Sequence, residues 1–227
     1  MKILVTAATE AEIALSIKYM EGAARQEKPL LFSRNGHEIQ LAITGVGMVA
    51  TTYHLIALLA ASRYDLVIQA GIAGSFDRDI SLGDTLFIRS DRFADMGVED
   101  GERYIDVFDI GLVDINEKPF TEKILVNPYS EDKLQTGLKG VNAITLNTVT
   151  GHETTVERLQ KRYNSALESM EGAAFHYVCL QEGVVFVQVR AVSNYIERRN
   201  REAWQMGKAL NNLNDWLVRY LTAKTAL

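Results

Sequence analysis

The sequence contains only one cysteine, few prolines and no excess of positive charge. Cys179 has no second cysteine with which to form a disulfide, so the cysteine content does not favour an oxidising compartment. The apolar opening segment, residues 2–6, is far too short for a secretory or membrane-spanning helix. The formal net charge of −5 disfavours a nucleic-acid-binding surface, because such surfaces concentrate basic residues. We therefore expect a cytoplasmic protein with no membrane or nucleic-acid partner.

Signs of a domain boundary are also lacking. The chain has three prolines, no Ser/Gly-rich linker and no internal repeat. Hydrophobic residues make up 47% of the 227 residues and charged residues 23%, which is typical of a globular protein that buries its own core. We expect one domain over residues 1–227.

Strand-like and helix-like segments alternate along the chain. Continuous apolar runs predict strands buried on both faces, and Asn35-Gly36 between two apolar segments predicts a hairpin. Thr9, with Glu12 three residues later, predicts a capping box at a helix start. The predicted strands are residues 2–6, 30–33, 38–44, 66–69, 84–89, 141–146, 166–169 and 184–192, and the predicted helices are residues 10–19, 48–61, 153–163, 172–182 and 198–221. This alternation predicts an α/β sandwich around a central mixed, largely parallel sheet.

The candidate site residues stand where predicted strands end and helices begin, which is where open α/β sheets bind ligands. Glu12 could act as a general base toward water, or it could be a solvated acid of a first helical turn. Glu171 could accept hydrogen bonds from two ribose hydroxyls, or it could simply interact favourably with a helix N-terminus. Asn194 could bind a base, or it could hydrogen-bond its own backbone in a turn.

Arginines form a second group of candidates. Arg190 lies in an apolar strand, where an unpaired charge is costly, and we expect Glu12 to be its carboxylate partner. Such a pair could serve catalysis or be purely structural. Arg198, Arg199 and Arg201 could be solvated, or one of them could hold an acidic group of a substrate.

No metal or redox cofactor is expected. The histidines, at positions 37, 54, 152 and 176, do not have metal-ligand spacing, and Cys179 has no paired cysteine, so all five are expected to be structural. The glycines of residues 45–50 superficially match a dinucleotide-binding fingerprint. That fingerprint needs an acid after the next strand, whereas Asp65 stands before it, so NAD binding is not predicted.

Several motifs together resemble the nucleoside phosphorylase and nucleosidase superfamily. They are the opening Met-Lys-Ile-Leu-Val-Thr-Ala-Ala-Thr-Glu-Ala-Glu of residues 1–12, Gly-Val-Gly-Met-Val-Ala of residues 45–50, Gly-Ile-Ala-Gly of residues 71–74, Met-Glu of residues 170–171 and Arg-Ala-Val-Ser-Asn of residues 190–194. The resemblance implies a three-layer α/β/α sandwich of the nucleoside phosphorylase type. It also implies a homo-oligomer, a dimer or higher.

The resemblance implies that three residues carry the reaction. Glu12 activates water, Arg190 orients Glu12 or the water, and Asn194 receives a purine. Adenine-specific members of the superfamily have Asp at this last place, whereas a carboxamide can donate to O6 and accept a hydrogen from N7 of hypoxanthine. The phosphorylases of the superfamily carry a Gly-Asp-Pro-x-Arg phosphate-binding segment that this chain lacks, so water is the expected nucleophile.

The resemblance also implies a set of substrate-binding residues. Met170 packs against the sugar, and Glu171 holds its hydroxyls. Gly74 and Ser193 complete this surface, and Thr154 stands at the place of an aromatic base contact. The expected partner is therefore a small-molecule nucleoside.

Residues 193–201 and 203–204 are similar to the nucleosidases that cleave futalosine, whose substrate carries a carboxyphenyl ketone chain at the ribose 5′ end. The predicted reaction is hydrolysis of futalosine to hypoxanthine and dehypoxanthine futalosine, a step of menaquinone biosynthesis. Three alternatives stay open. They are a nucleosidase for methylthioadenosine, adenosylhomocysteine or aminodeoxyfutalosine, a purine nucleoside phosphorylase, and a nucleoside-binding protein without catalysis.

Overall fold

A mixed sheet runs through the middle of the molecule, which a computed structural model describes for residues 1–101 and 103–223. Residues 102 and 224–227 of the predicted domain lie outside the described residues. The strands are β1 (Lys2–Ala7), β2 (Arg25–Lys28), β3 (Leu31–Arg34), β4 (His37–Ile43), β5 (Leu66–Ser75), β6 (Thr85–Asp91), β7 (Gly97–Asp100), β8 (Arg103–Asp106), β9 (Leu125–Val126), β10 (Gly140–Thr145), β11 (Leu167–Ser169) and β12 (Phe186–Tyr195). The helices are α1 (Glu10–Ala23), α2 (Met48–Ala61), α3 (Glu131–Leu134), α4 (Glu153–Tyr163), α5 (Gly172–Glu182) and α6 (Met206–Ala223).

The strand order of the main sheet is β11-β10-β6-β12-β5-β1-β4-β3-β2, with β9 added beside β6. Strands β1, β5 and β12 are parallel neighbours, and β6 runs antiparallel to β12. The predicted mixed sheet is confirmed. Strand β11 also pairs antiparallel with β5, so β5, β12, β6, β10 and β11 close into a ring that the sequence pattern did not predict.

Helices cover both faces of the sheet, which confirms the three-layer arrangement. Helices α1 and α6 pack on one face and α2 and α5 on the other. Alternate residues of β1 point to opposite faces. Ile3 therefore packs in the core under α6, and Leu4 packs with Phe175 of α5. None of the helices of the described residues is long and apolar enough to cross a membrane.

Local sequence signals were accurate where they were strong. The hairpin forms between β3 and β4, with Asn35 at φ 50° and Gly36 at φ 78° in the left-handed region that such a turn requires. The predicted helices at residues 48–61, 153–163 and 172–182 coincide with α2, α4 and α5. The capping box at the start of α1 is also confirmed.

Two predicted boundaries near the carboxyl ends of strands were wrong. Strand β5 continues through Ser75, so the glycine motif of residues 71–74 lies inside the strand and not after it. The last helix begins at Met206, whereas the sequence predicted a start near residue 198. The backbone N–H of Gln205 instead donates to the Ser193 carbonyl at 2.8 Å, which ties this segment to the end of β12 and keeps it from continuing the helix.

Candidate active site

A cavity of about 310 Å³ opens at the carboxyl ends of β1, β5 and β12. The predicted site residues that line it are Glu12, Gly74, Met170, Glu171, Ser193 and Asn194. They come from the start of α1, the ends of β5 and β12, and the connection from β11 to α5. Because parallel strands end at the same edge of a sheet, residues far apart in the chain meet at this edge. The structure thus brings six of the eight predicted residues into one cavity.

The carboxylate of Glu12 is held by three hydrogen bonds. Its Oε2 accepts from the backbone N–H of Thr9 at 2.9 Å and from the Thr9 hydroxyl at 3.2 Å. Its Oε1 accepts from the backbone N–H of Ile72 at 3.1 Å. The capping box therefore fixes an acid that is buried yet still lines the cavity. A carboxylate restrained in this way is suited to orient a water molecule and accept its proton.

Glu171 lies directly before α5 and is also held at both oxygens. Its Oε1 accepts from the backbone N–H of Gly47 at 3.0 Å, and its Oε2 lies 3.4 Å from Nη1 of Arg190. Gly47 has φ 89°, a conformation that favours glycine. The glycine turn that superficially matched a dinucleotide fingerprint therefore positions a carboxylate.

The structure corrects the predicted pairing of Arg190. Its guanidinium is buried beneath the cavity and does not line it. Nη2 donates to Oε1 of Gln69 at 2.8 Å, and Nη1 lies 3.4 Å from both the Ile72 carbonyl and Oε2 of Glu171. The ion pair within 4 Å is with Glu171, so the prediction of Glu12 as partner was wrong. Arg190 thus positions the carboxylate of Glu171.

The absence of a side chain at Gly71 makes this arrangement possible. Strand pairing places Arg190 opposite Gly71. A Cβ atom at position 71 would collide with Nη1 of Arg190 and would stand 2.9 Å from Oε1 of Glu12. Glycine is therefore required here for the close approach of two functional side chains, although its backbone conformation is ordinary.

Asn194 lies at the irregular end of β12, where the register with β5 shifts after Val192. Its Oδ1 accepts from the Ser193 hydroxyl at 2.8 Å, and its Nδ2 donates to the carbonyl of Tyr195 at 3.0 Å. A carboxamide has two N–H donors and two acceptor lone pairs, so one donor and one lone pair stay available to a ligand. Asn194 thus keeps one donor and one acceptor for a ligand, and its contact with a purine stays a prediction.

Thr154 does not reach the cavity. It lies exposed in the first turn of α4, with its Oγ1 2.9 Å from Nδ1 of His152. The preceding loop presents Val149 to the cavity in its place. The structure therefore does not support a base contact by Thr154, because α4 begins outside the cavity wall.

The arginines of residues 198–201 divide between two environments. Arg198 and Arg199 line a smaller cavity of about 70 Å³ that also includes Asn194 and Trp204. The guanidinium of Arg199 lies over the Trp204 ring, 5.4 Å from its centroid. Arg201 lines neither of these two cavities. A ligand in the smaller cavity could therefore contact Arg198 or Arg199, and binding of an acidic substrate group by an arginine stays a prediction.

Sequence reasoning missed Glu168, a buried acid on β11 that lines the main cavity. Its Oε1 accepts from the backbone N–H of Thr150 at 2.8 Å. Burial raises the pKa of this carboxyl above its ordinary value, against the lowering effect of the Thr150 hydrogen bonds. A charged residue inside the short strand predicted for residues 166–169 was the signal that could have revealed it.

His176 and Cys179 occupy buried positions that are consistent with structural roles. His176 is fully buried, with Nδ1 3.1 Å from the Leu125 carbonyl, and burial lowers its pKa to about 3. Cys179 is buried between α5 and the sheet, and burial raises the pKa of its thiol. Within residues 1–101 and 103–223, no three His, Cys, Asp or Glu side chains are grouped so that they could hold a metal ion.

Similar structures reproduce this fold over nearly the whole chain. The structure of Helicobacter pylori 5′-methylthioadenosine/S-adenosylhomocysteine nucleosidase in complex with a substituted pyrrolidin-3-ol matches with a TM-score of 0.81 and 19% identity, covering 97% of each chain. Futalosine hydrolase of Helicobacter pylori matches with a TM-score of 0.80 and 20% identity, also covering 97% of each chain. At this identity the likeness shows the fold alone.

Sequence relatives are more specific. Futalosine hydrolase of Streptomyces coelicolor is 34% identical over 67% of this chain, and the match spans 63% of that protein, less than two thirds of its length. Futalosine hydrolase of Acidothermus cellulolyticus is 30% identical over 94% of this chain and 87% of its own length. The family model of the phosphorylase superfamily matches residues 2–222. The chain therefore belongs to the phosphorylase superfamily, and these two curated relatives within it are futalosine hydrolases.

Proposed function

We propose that this chain hydrolyses futalosine to hypoxanthine and dehypoxanthine futalosine. The observation that carries the proposal is the meeting of Glu12, Glu171 and Asn194 in one cavity, in a chain 30% identical to a futalosine hydrolase over 94% of its length. Two fixed acids and a carboxamide fit a purine nucleoside. One acid can activate water, the other can bind the ribose hydroxyls, and the carboxamide can hydrogen-bond the base. This reaction would place the protein in menaquinone biosynthesis, and the cytoplasmic location stays a prediction.

The reaction breaks the bond between C1′ and N9 as the sugar becomes oxocarbenium-like. Glu12, held by Thr9 and Ile72, takes a proton from the water whose oxygen bonds to C1′. The electron pair of the broken bond leaves with hypoxanthine, which takes up a proton from solvent at N7. Glu171 accepts hydrogen bonds from the ribose hydroxyls, and Asn194 accepts from N7–H and donates to O6.

The test is base release from futalosine, inosine and methylthioadenosine, each with and without phosphate. We expect hypoxanthine from futalosine at a rate that does not depend on phosphate. The proposal is contradicted if adenine is released from methylthioadenosine faster than hypoxanthine is released from futalosine, or if turnover needs phosphate. Binding of futalosine without base release would indicate a nucleoside-binding protein instead.

Replacing Glu12 by Gln tests the base directly. We expect turnover to fall by about 10²–10⁴-fold, while the fold is kept because Gln also completes a capping box. Glu10→Gln is the matched control, since Glu10 is an exposed acid of the same helical turn. Near-normal turnover of Glu12→Gln, with Glu10→Gln also unchanged, rules out Glu12 as the base.

We further propose that the protein is a homo-oligomer, a dimer or higher. Along α2, Val49, Tyr53 and Ile56 form an exposed apolar stripe, with Val49 83% and Tyr53 70% exposed. Val46, beside this stripe, is exposed and also lines the main cavity. Contiguous apolar surface of this kind is rare on monomers, and a second copy seated on it would lie next to the cavity.

Molar mass in solution tests the assembly. We expect the wild type to exceed the mass of one chain and Val49→Lys to shift the protein toward monomer. Ile115→Lys, which changes an exposed apolar residue far along the chain from α2, should leave the mass unchanged. A wild-type mass of one chain contradicts the proposal.

A further inference from the structure

Asn214 is a buried polar residue in the middle of α6 that has no part in the proposed reaction. It is 2% exposed, and its carboxamide makes four hydrogen bonds. Oδ1 accepts from the backbone N–H and the hydroxyl of Ser16 at 2.9 and 2.6 Å. Nδ2 donates to the carbonyls of Glu12 and Leu210, both at 2.8 Å. Since a carboxamide has two donors and two acceptor lone pairs, all of its hydrogen-bonding capacity is used.

Two of these partners are backbone groups of α1 that lie four residues apart. In a regular α-helix the N–H of residue 16 donates to the carbonyl of residue 12. The carboxamide of Asn214 contacts both groups and therefore bridges this position of the helix from α6. Side chains that enter the hydrogen bonds of a helix alter its local geometry. Asn214 thus constrains the turn of α1 that carries Glu12.

Glu12 is consequently held at both ends of the residue. Thr9 and Ile72 hold its carboxylate through backbone N–H donors at 2.9 and 3.1 Å, and Asn214 holds its backbone carbonyl. These contacts come from the N-cap of α1, from β5 and from α6. Leu210 lines the main cavity and shares the Nδ2 group of Asn214 with Glu12. The carboxamide therefore joins the cavity-lining part of α6 to the acid.

We propose that Asn214 is a positioning residue for Glu12, which keeps the carboxylate directed at the water by fixing the backbone that carries it. This inference rests on the proposed function, in which Glu12 is the general base, and deepens it by naming a residue that acts from outside the cavity. Displacement of a reacting group by about 1 Å can lower a rate by about 10²-fold. Loss of Asn214 should therefore lower kcat and leave KM nearly unchanged, because other residues bind the nucleoside.

Asn214→Leu removes the bridge, because Leu has the branched shape of Asn without its polar atoms. The Ser16 N–H can then donate to the Glu12 carbonyl as in a regular helix, so we expect the fold to be kept. We expect kcat for the nucleoside to fall by about 10–10²-fold and KM to stay close to its wild-type value. Tyr220→Phe is the matched control. It removes another buried hydrogen bond of α6, from the Tyr220 hydroxyl to the Leu134 carbonyl, and should leave kcat and KM unchanged.

A double-mutant cycle separates positioning from a purely structural role. If Asn214 acts through Glu12, Asn214→Leu should have almost no further effect on kcat in the Glu12→Gln background, because the base that it positions is already lost. An effect that does not depend on Glu12 would lower kcat by the same factor in both backgrounds. That second result overturns the positioning role.

Amide hydrogen exchange reports the position of Glu12 without any turnover. The backbone N–H groups of Thr9 and Ile72 donate to its two carboxylate oxygens. When the carboxylate moves in Asn214→Leu, both amides should exchange faster by about 10-fold or more. The same amides should keep their wild-type rates in Tyr220→Phe. Thermal unfolding of each variant corrects for any change in global stability.

The outcomes separate this inference from the proposed function. Wild-type kcat and wild-type exchange rates in Asn214→Leu overturn the positioning role whether or not futalosine is cleaved. If wild type hydrolyses no nucleoside, the proposed reaction fails, and the exchange rates of Thr9 and Ile72 still decide the positioning role. If Asn214→Leu does not fold, Asn214→Asp replaces it in each measurement, because it keeps the size of the side chain and loses only the donors. Failure of both variants to fold would make Asn214 a structural residue and overturn the positioning role.

Discussion

Arg190 and Glu171 form a buried ion pair beneath the floor of the active-site cavity. Nη1 lies 3.4 Å from Oε2, and the two side chains are 1% and 7% exposed. The second guanidinium nitrogen is taken by Gln69, and the second carboxylate oxygen by Gly47. Glu171, to which we assign binding of the ribose, is thus held by β12 and β5 through Arg190 and by the glycine turn before α2 through Gly47.

Arg190→Met should destabilise the protein by about 3–5 kcal/mol, because it leaves the Glu171 carboxylate buried and unpaired. Urea unfolding measures this loss, and KM for the nucleoside should rise as Glu171 loses its position. Arg78→Met is the control. It removes an exposed pair with Glu197 and should cost no more than about 1 kcal/mol. Equal losses in the two variants would mean that burial does not decide the strength of the Arg190 pair.

Gly71→Ala should disturb both acids at once. The added methyl group would collide with the Arg190 guanidinium and stand 2.9 Å from Oε1 of Glu12. We expect turnover to fall by about 10²-fold or more and stability to fall by about 1–3 kcal/mol. Gly22→Ala is the opposite case, since nothing lies within 4 Å of a Cβ there. Gly22 lies in the last turn of α1, where the change should stabilise the protein by no more than about 0.5–1 kcal/mol. The measurements are thermal unfolding and turnover of both variants. Full activity of Gly71→Ala would contradict the close packing of Arg190 and Glu12 against Gly71.

Asn194→Asp should lower activity on 6-oxopurine nucleosides relative to 6-amino ones, because a carboxylate cannot donate to O6. We expect the ratio of kcat/KM for futalosine over its 6-amino analogue to fall by about 10²-fold or more. Asn211→Asp makes the same change at an exposed position of α6 and should leave the ratio unchanged. If Asn194→Asp keeps the wild-type preference for 6-oxopurine nucleosides, the carboxamide does not determine which base is bound.

Stability should depend on pH through Asp91, which is fully buried below the start of α5. Burial raises its pKa to about 6, against the lowering effect of hydrogen bonds from Thr145 and Gln188. An unfolded Asp has a pKa of about 3.9. Between these values the folded protein binds more protons than the unfolded chain, so the Asp91 contribution to the free energy of unfolding falls as pH rises from about 4 to about 6 and is constant above.

Asp91→Asn should remove this loss, which amounts to at most about 3 kcal/mol. Gln188 can keep the contact by rotating its amide, because its Oε1 has no partner in the wild-type arrangement. The measurement is urea unfolding of wild type and variant across pH 4–7, and the difference between them should change by that amount below pH 6. For Asp215→Asn, on the exposed face of α6, the free energy of unfolding should depend on pH as it does in wild type. A constant difference between wild type and Asp91→Asn contradicts the raised pKa.

Short-range sequence patterns were sufficient to predict much of the local structure. The unbroken apolar run of β1, the Asn35-Gly36 turn and the capping box of Thr9 and Glu12 are short-range signals, and each formed as predicted. Glu12, Glu171 and Asn194 were also found from sequence, because each stands where a strand gives way to the next element.

Contacts between these residues, in contrast, depend on the pairing of strands that are distant in the chain. The partner of Arg190 depends on the register that sets it opposite Gly71, and Glu168 enters the site because β11 turns back to pair with β5. The predictions of a base contact by Thr154 and of a helix start near residue 198 were wrong because both depend on contacts between distant parts of the chain. Sequence patterns record contacts a few residues apart, whereas pairing between distant strands depends on how the whole sheet closes.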